Sequence, residues 1–189
     1  MPDSLKKIAV DLIVFDLDGT LADSLPDLTS AANYALGRLD LPGRSPEEVR
    51  GMIGGGERKF MERLVGPAHQ DLADHCLDLY LDHYSQHCGD LTRLYPGVPE
   101  TLEKLADIKL LAVLSNKLQR LTEAVLQAMG IAAFFKARRG GGAGLPLKPA
   151  AEPLLALMRD LGVEPGRTLM VGDKPADVNT GRGAGTYSA

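Results

Sequence analysis

The segment from residue 10 to residue 20, VDLIVFDLDGT, constrains the fold of this chain more than any other feature. A mostly apolar run of strand length ends there in Asp16 and Asp18, followed by Gly and Thr. Side chains two residues apart on an extended strand point to the same side. We therefore expect both carboxylates to converge at the C-terminal end of the strand, where open α/β sheets bind ligands.

Two neighbouring carboxylates repel each other unless a cation or a raised pKa relieves the repulsion. The pair therefore suggests a divalent metal, proton transfer, or both. A turn is a competing interpretation, because Asp-Gly pairs often mark turns. A calcium loop of the helix–loop–helix kind fits poorly, since a loop starting at Asp16 needs glycine where Leu21 stands.

Composition limits the classes of partner. The 189 residues suffice for one ordinary domain or a modest domain with an insertion. The formal net charge of −4 and the lack of a basic run argue against nucleic acid and membrane surfaces as partners. The longest apolar runs have strand length, and no signal-peptide core follows the N-terminus. We expect a cytoplasmic protein.

Apolar spacing divides the chain into a helical stretch and an alternating stretch. A first strand is predicted over residues 8–15. Helices alone follow, predicted over residues 26–39, 57–65 and 70–87. Strands predicted over residues 110–114, 134–137 and 168–171 then alternate with helices predicted over 96–106, 118–129 and 149–161, with a flexible loop over 139–144. The alternation favours an α/β fold with a parallel sheet, into which the helical stretch is inserted.

Polar residues follow three of the predicted strands. These are Asp16 with Asp18, Ser115 with Asn116, and Asp173. In a parallel sheet such strand ends share one edge, and Lys148 and Asp177 are expected near it. Oxygen ligands at this density suit Mg²⁺. Phosphoryl transfer needs such a set: a metal, a cation for the phosphate oxygens, hydrogen-bond donors and an in-line nucleophile.

These motifs resemble the signatures of the haloacid-dehalogenase superfamily in order and spacing. The segment DLDGT resembles the first signature, Ser115 the second, Lys148 the third, and residues 172–177 the fourth. The helical stretch resembles the cap of one subgroup. Residues 20–24 and 139–141 are similar to those of phosphoglycolate phosphatases within that subgroup.

The resemblance implies a Rossmann-like parallel sheet with flanking helices, formed by residues 1–22 and 91–189, and an α-helical cap over residues 23–90. It implies a Mg²⁺-dependent phosphatase that hydrolyses a small phosphomonoester, 2-phosphoglycolate first, through an aspartyl phosphate. A phosphosugar mutase of the same superfamily and a non-catalytic binding protein with this fold are the alternatives. The expected partner is a small phosphorylated metabolite, and the expected state is a monomer or a homodimer.

The resemblance also implies residue roles. Asp16 would attack phosphorus, Asp18 would act as acid and then base, and Lys148 would offset negative charge. Residues expected to hold the phosphate or the substrate are Ser115, Asn116, Gly19, Thr20 and Arg58. Residues expected at the metal are Asp16, Asp18 through its backbone carbonyl, Asp173 and Asp177.

Two further features invite interpretation. His83 and His87 are spaced as zinc ligands, but Cys76 falls on an apolar helix face, so packing is favoured over a metal site. Little sequence follows Asp177, so the last strand of the sheet is expected to be missing. The strand before Asp173 would then be an exposed edge, which predicts lower stability or dimerisation.

Overall fold

A five-stranded parallel sheet forms the centre of the molecule in the computed structural model, which describes residues 9–142 and 144–189. Its strand order is β5-β4-β1-β6-β7. The strands are β1 (Leu12–Phe15), β4 (Leu110–Leu118), β5 (Ala137–Gly141), β6 (Thr168–Val171) and β7 (Tyr187–Ser188). A separate antiparallel pair consists of β2 (Ala22–Asp23) and β3 (Arg93–Leu94).

Eight α-helices surround or extend this sheet in the described part of the chain. Four lie between β2 and β3: α1 (Leu25–Arg38), α2 (Pro46–Met52), α3 (Glu57–Val65) and α4 (Ala73–His87). Four alternate with the strands of the main sheet: α5 (Val98–Ala106), α6 (Gln119–Ala128), α7 (Glu152–Leu161) and α8 (Pro175–Ala184). The predicted α/β class with a parallel sheet, flanking helices and a helical insertion is confirmed. The bounds proposed for core and cap stay a prediction.

Strand β1 is central because its side chains are apolar on both faces. Ile13 and Phe15 join a cluster that includes Leu121 and Val125 of α6 and extends into the helices between β2 and β3. Leu12 and Val14 join a second cluster with α7 and α8. All four residues are buried, as expected for a strand covered on both faces of a parallel sheet. The prediction that this strand starts at Ile8 falls partly outside the described residues.

The region around β5 corrects the predicted loop and strand. A 3₁₀ turn occupies Ala132–Phe134, and the strand starts only at Ala137, the last residue of the predicted strand, and continues to Gly141 through residues expected to form a flexible loop. A Cβ on Gly140 would lie 2.6 Å from the Cα of Gln119. Glycine therefore permits this strand to approach the extended end of β4, although glycine is normally rare in strands. Ala143, in the predicted loop, lies outside the described residues.

The C-terminal region corrects the expectation that the last strand is missing. Strand β7 pairs in parallel with β6, with Tyr187 opposite Leu169 and Ser188 opposite Met170. The N–H of Ala189 also donates to the Met170 carbonyl at 2.9 Å. A side chain on Gly181 would collide with Ser188, so glycine allows β7 to cross close over α8. The edge of β6 is therefore covered, although only by a short strand.

The helical insert, residues 24–92, joins the rest of the chain through two adjacent connections. Strands β2 and β3 pair there, and buried Asp27 links the start of α1 to the second connection. Its carboxylate accepts from the N–H of Leu91 at 3.0 Å and from the N–H and hydroxyl of Thr92 at 2.8 and 2.7 Å. One carboxylate thus holds both connections together. Among the helices of the described residues, none combines the length and apolarity that crossing a membrane would need.

Replacement of Asp27 by alanine is expected to lower the free energy of unfolding by about 3 kcal/mol, because it leaves buried donors without an acceptor. Urea unfolding followed by circular dichroism measures the change. Asp78→Ala, at an exposed position of α4, is the control and should change stability by less than about 0.5 kcal/mol. Equal effects of the two substitutions would contradict the role of Asp27.

Candidate active site

Asp16 lies at the C-terminal end of β1, where the fold leaves it only 5% exposed. Its backbone N–H donates to the Val171 carbonyl at 2.9 Å, and its Oδ1 accepts from the N–H of Leu17 at 2.7 Å. Burial raises the pKa of the Asp16 carboxyl, and the Lys148 ammonium opposes that shift. The residue is thus a buried carboxylate beside a cation, directed at the ligand-binding edge of the sheet.

Lys148 is the cation, and it is buried among oxygen acceptors. Its Nζ lies 3.0 Å from Asp16 Oδ1, 2.6 Å from Asp177 Oδ1 and 2.8 Å from the Leu114 carbonyl. Asn116 fixes the backbone around it, because Oδ1 accepts from the Lys148 N–H at 2.7 Å and Nδ2 donates to the Lys148 carbonyl at 2.9 Å. The short glycine-rich loop before Lys148 therefore brings this residue to the site, and the Asn116 side chain holds its backbone there.

Three carboxylates form an acidic cluster beside this lysine. Oxygens of Asp16, Asp173 and Asp177 all lie within 4.8 Å of one another. With all three ionised, two negative charges remain after Lys148 is counted. Carboxylate oxygens in this number and spacing fit a divalent cation. The structure thus brings together the three aspartates whose side chains were expected at the metal. The side chain of Asp18, which was expected at the metal only through its backbone carbonyl, contacts Ser24 and Lys117.

Close backbone approach shapes the cluster. Gly19 has a positive φ of 92°, and a Cβ there would lie 2.5 Å from Asp173 Oδ2. The hydroxyl of Thr20 donates to Asp173 Oδ1 at 3.3 Å. Both residues were expected to hold phosphate. They lie instead against Asp173, a candidate metal ligand, and neither lines the cavity in front of Asp16.

A cavity of about 250 Å³ opens in front of these residues. Its floor includes Asp16 and Asp18 from the segment that follows β1, Ser115 from β4, and Lys148 from the loop that precedes α7. The helical insert covers it with mainly apolar side chains and a glycine loop: Leu28, Ile53, Gly54, Gly55, Gly56, Phe60 and Tyr80, together with Glu57. The cavity is large enough for a small molecule whose phosphate lies at the edge of the sheet and whose remainder lies against the insert.

Arg58 is not part of this site, which corrects its assignment as a substrate contact. Its side chain is 66% exposed and pairs with Glu62 at 3.3 Å and Asp74 at 2.8 Å. The apolar residues of α3 at helical spacing, Phe60, Met61 and Leu64, are buried. Arg58 therefore lies on the outer surface of that helix, whereas the neighbouring Glu57 faces inward.

Asp18 contacts a residue that the sequence interpretation missed. Its Oδ1 accepts from the Ser24 hydroxyl, and its Oδ2 lies 3.4 Å from Nζ of buried Lys117. Desolvation lowers the pKa of Lys117, but Asp18, Tyr80 and Glu57 together raise it above its usual value, so the side chain is an ammonium. The sequence contained a signal, because Lys117 follows Ser115 by two residues and side chains with this spacing on an extended chain point to the same side.

The histidines and cysteines considered as zinc ligands have other contacts. His83 stacks on Tyr34 with ring centroids 4.3 Å apart, and His87 pairs with Asp90 at 2.8 Å. Cys76 is buried against the Met61 sulfur at 3.7 Å. The contacts of His83 and Cys76 join α4 to α1 and α3, and the His87–Asp90 pair lies at the end of α4.

Comparisons with known proteins agree with this geometry. The family model of haloacid dehalogenase-like hydrolases matches residues 13–189. A phosphoglycolate phosphatase of Aquifex aeolicus is 36% identical over 94% of this chain and 83% of its own length. An N-acetylmuramic acid 6-phosphate phosphatase of Pseudomonas aeruginosa is 32% identical over 98% of this chain and 83% of its own length. The crystal structure of a predicted phosphoglycolate phosphatase from Haemophilus somnus superimposes with a TM-score of 0.90 at 34% identity, covering 95% of this chain and 84% of that one.

Gly19→Ala is expected to weaken binding of a divalent cation at least about tenfold, because the new Cβ displaces the Asp173 carboxylate. Electron paramagnetic resonance of Mn²⁺ measures the binding. Gly97→Ala is the matched control: Gly97 also has a positive φ, of 84°, but a Cβ there meets nothing within 4 Å. Both substitutions cost about 1–2 kcal/mol of backbone strain, and only the first should change Mn²⁺ affinity.

Proposed function

The chain belongs to the haloacid dehalogenase-like hydrolase family, and we propose that it is a phosphatase that hydrolyses a small phosphomonoester. The observation that carries this proposal is the buried Asp16 carboxylate, 3.0 Å from the Lys148 ammonium and beside the Asp173–Asp177 cluster. A carboxylate in this position can act as a nucleophile toward phosphorus, while neighbouring cations compensate the charge of the phosphate.

The first step transfers the phosphoryl group to Asp16 and gives an aspartyl phosphate. The bond between phosphorus and the ester oxygen breaks, and Asp18 donates a proton to the leaving alkoxide. Lys148 stabilises negative charge shared by Asp16 and the phosphate oxygens. Ser115, which lines the cavity at the end of β4, provides a hydroxyl donor for the same oxygens.

The second step is hydrolysis of the aspartyl phosphate. Asp18, now a carboxylate, takes a proton from a water molecule that attacks phosphorus, and inorganic phosphate and free Asp16 result. We propose Mg²⁺ as the metal, held by Asp16, Asp173, Asp177 and the Asp18 backbone carbonyl. When bound, it supplies positive charge that polarises the phosphoryl group.

The cavity supports a small substrate, and we propose 2-phosphoglycolate. Relatives that carry the name phosphoglycolate phosphatase support this choice. N-acetylmuramic acid 6-phosphate should be tested beside it, because another similar protein carries the name N-acetylmuramic acid 6-phosphate phosphatase. The cytoplasmic location and the monomeric or homodimeric state stay predictions from the sequence.

Asp16→Asn is expected to lower the rate of phosphate release by at least about a thousandfold, because the amide cannot attack phosphorus. Release of inorganic phosphate from 2-phosphoglycolate, N-acetylmuramic acid 6-phosphate and a panel of sugar phosphates measures the activity. Asp11→Asn is the control, since Asp11 makes a surface pair with Arg167 ahead of the same strand. Transfer to a second hydroxyl without phosphate release would support a mutase, and equal rates in wild type and Asp16→Asn would refute the proposal.

Removal of divalent metal with a chelator is expected to abolish phosphate release, and added Mg²⁺ should restore it. Mg²⁺ should also raise the melting temperature, because a ligand that binds only the folded state stabilises it. Asp173→Asn should remove most of that thermal shift, whereas Asp160→Asn, a surface substitution, should retain it. Full activity in the presence of chelator would contradict the metal assignment.

A further inference from the structure

Lys117 is a buried ammonium for which the proposed reaction has no role. It lies at the end of β4 and lines the cavity, two residues beyond Ser115. Its Nζ lies 3.4 Å from Asp18 Oδ2. A buried charge is costly unless it is paired, so its partners indicate what the residue does.

The other contact of Lys117 comes from Tyr84 of the helical insert, where Glu57 also lies nearby. Nζ donates to the Tyr84 hydroxyl at 2.9 Å and lies 4.4 Å from the centre of the Tyr84 ring. Glu57 accepts from the N–H of Leu118 at 2.8 Å and adds a nearby negative charge. The Lys117 side chain therefore connects Asp18 to helix α4 of the insert, while the N–H of the next residue, Leu118, binds Glu57 of α3.

These contacts hold the Asp18 carboxylate at both oxygens. Ser24, at the entrance to the insert, donates to Oδ1, and Lys117 contacts Oδ2. A single contact would leave the carboxylate free to rotate about the Cβ–Cγ bond of Asp18. Two contacts from different segments fix the plane of the carboxylate. Proton transfer to a leaving oxygen requires such alignment.

We propose that Lys117 is a positioning residue that aligns the Asp18 carboxylate for proton transfer, and that Tyr84 makes this alignment depend on the docked helical insert. The inference rests on the proposed phosphatase activity and adds a requirement to it: correct placement of the insert is needed for acid catalysis as well as for covering the cavity.

A purely structural role for Lys117 predicts a different result. If the lysine only fastened the insert to the sheet, its loss would slow the hydrolysis of every substrate alike. If it aligns Asp18, its loss affects most the substrates whose leaving group must be protonated. An alkoxide is such a leaving group, whereas 4-nitrophenolate leaves without a proton.

The experiment compares kcat/KM for two esters, because this quantity includes the step in which the leaving group departs. The esters are the alkyl phosphate that the wild type hydrolyses fastest and 4-nitrophenyl phosphate. Lys117→Met should lower kcat/KM for the alkyl ester at least about tenfold more than for the aryl ester, since general acid catalysis contributes about 10²–10⁴-fold. Asp18→Asn should shift the ratio in the same direction, and adding Lys117→Met to it should shift the ratio no further.

Tyr84→Phe tests the connection to the insert with a smaller change. It removes one hydroxyl and should shift the ratio in the same direction by about threefold, in line with the loss of one hydrogen bond. Tyr34→Phe is the matched control, because Tyr34 also belongs to the insert but stacks on His83, whereas the contacts of Lys117 are with Tyr84 and Asp18. It should leave the ratio unchanged.

Circular dichroism shows whether each variant folds. If Lys117→Met does not fold, the ratio measured for Tyr84→Phe tests the positioning role. An unchanged ratio in the folded variants would overturn the positioning role while leaving the phosphatase proposal intact. If the wild type hydrolyses neither ester nor any member of the substrate panel, the proposed function fails, and the positioning role fails with it.

Discussion

The ion pair between Lys148 and the carboxylates of Asp16 and Asp177 is the interaction on which the site depends. Burying an ionised carboxylate costs several kcal/mol, and two carboxylates close together also repel each other. One ammonium between them, 3.0 and 2.6 Å away, offsets both effects. The Leu114 carbonyl and the Asn116 side chain then fix where that ammonium lies.

Strand β4 supplies the supports for both acidic residues of the first motif. Leu114 and Asn116 hold Lys148 against Asp16, and Lys117 contacts Asp18. Because β4 pairs directly with β1, these groups keep a fixed distance from the two aspartates. The second sequence motif therefore does more than contribute Ser115: it places one cation beside each carboxylate.

Sequence reasoning predicted the acidic cluster well, because each member follows an apolar strand or begins a helix at the same edge of the sheet. Arg58 could have been excluded in the same way, since Phe60, Met61 and Leu64 define the buried face of α3 and leave Arg58 outside it. The extension of β5 beyond the predicted strand could not have been predicted, because Gly140 has no intrinsic preference for a strand. Its conformation follows from close contact with Gln119, which lies distant in the sequence.

The charge of the cluster links the metal to the substrate. Three carboxylates face one ammonium, so a phosphate dianion approaching Asp16 meets a net negative site unless a cation is present. A divalent cation would compensate the two remaining charges and still have positions for phosphate oxygens and water, as Mg²⁺ prefers. Burial raises the pKa of Asp16 even with Lys148 in contact, and the negative charges of Asp177 and Asp18 add to that effect. Metal binding and the nucleophilic form of Asp16 therefore favour each other, because both depend on the carboxylate being ionised.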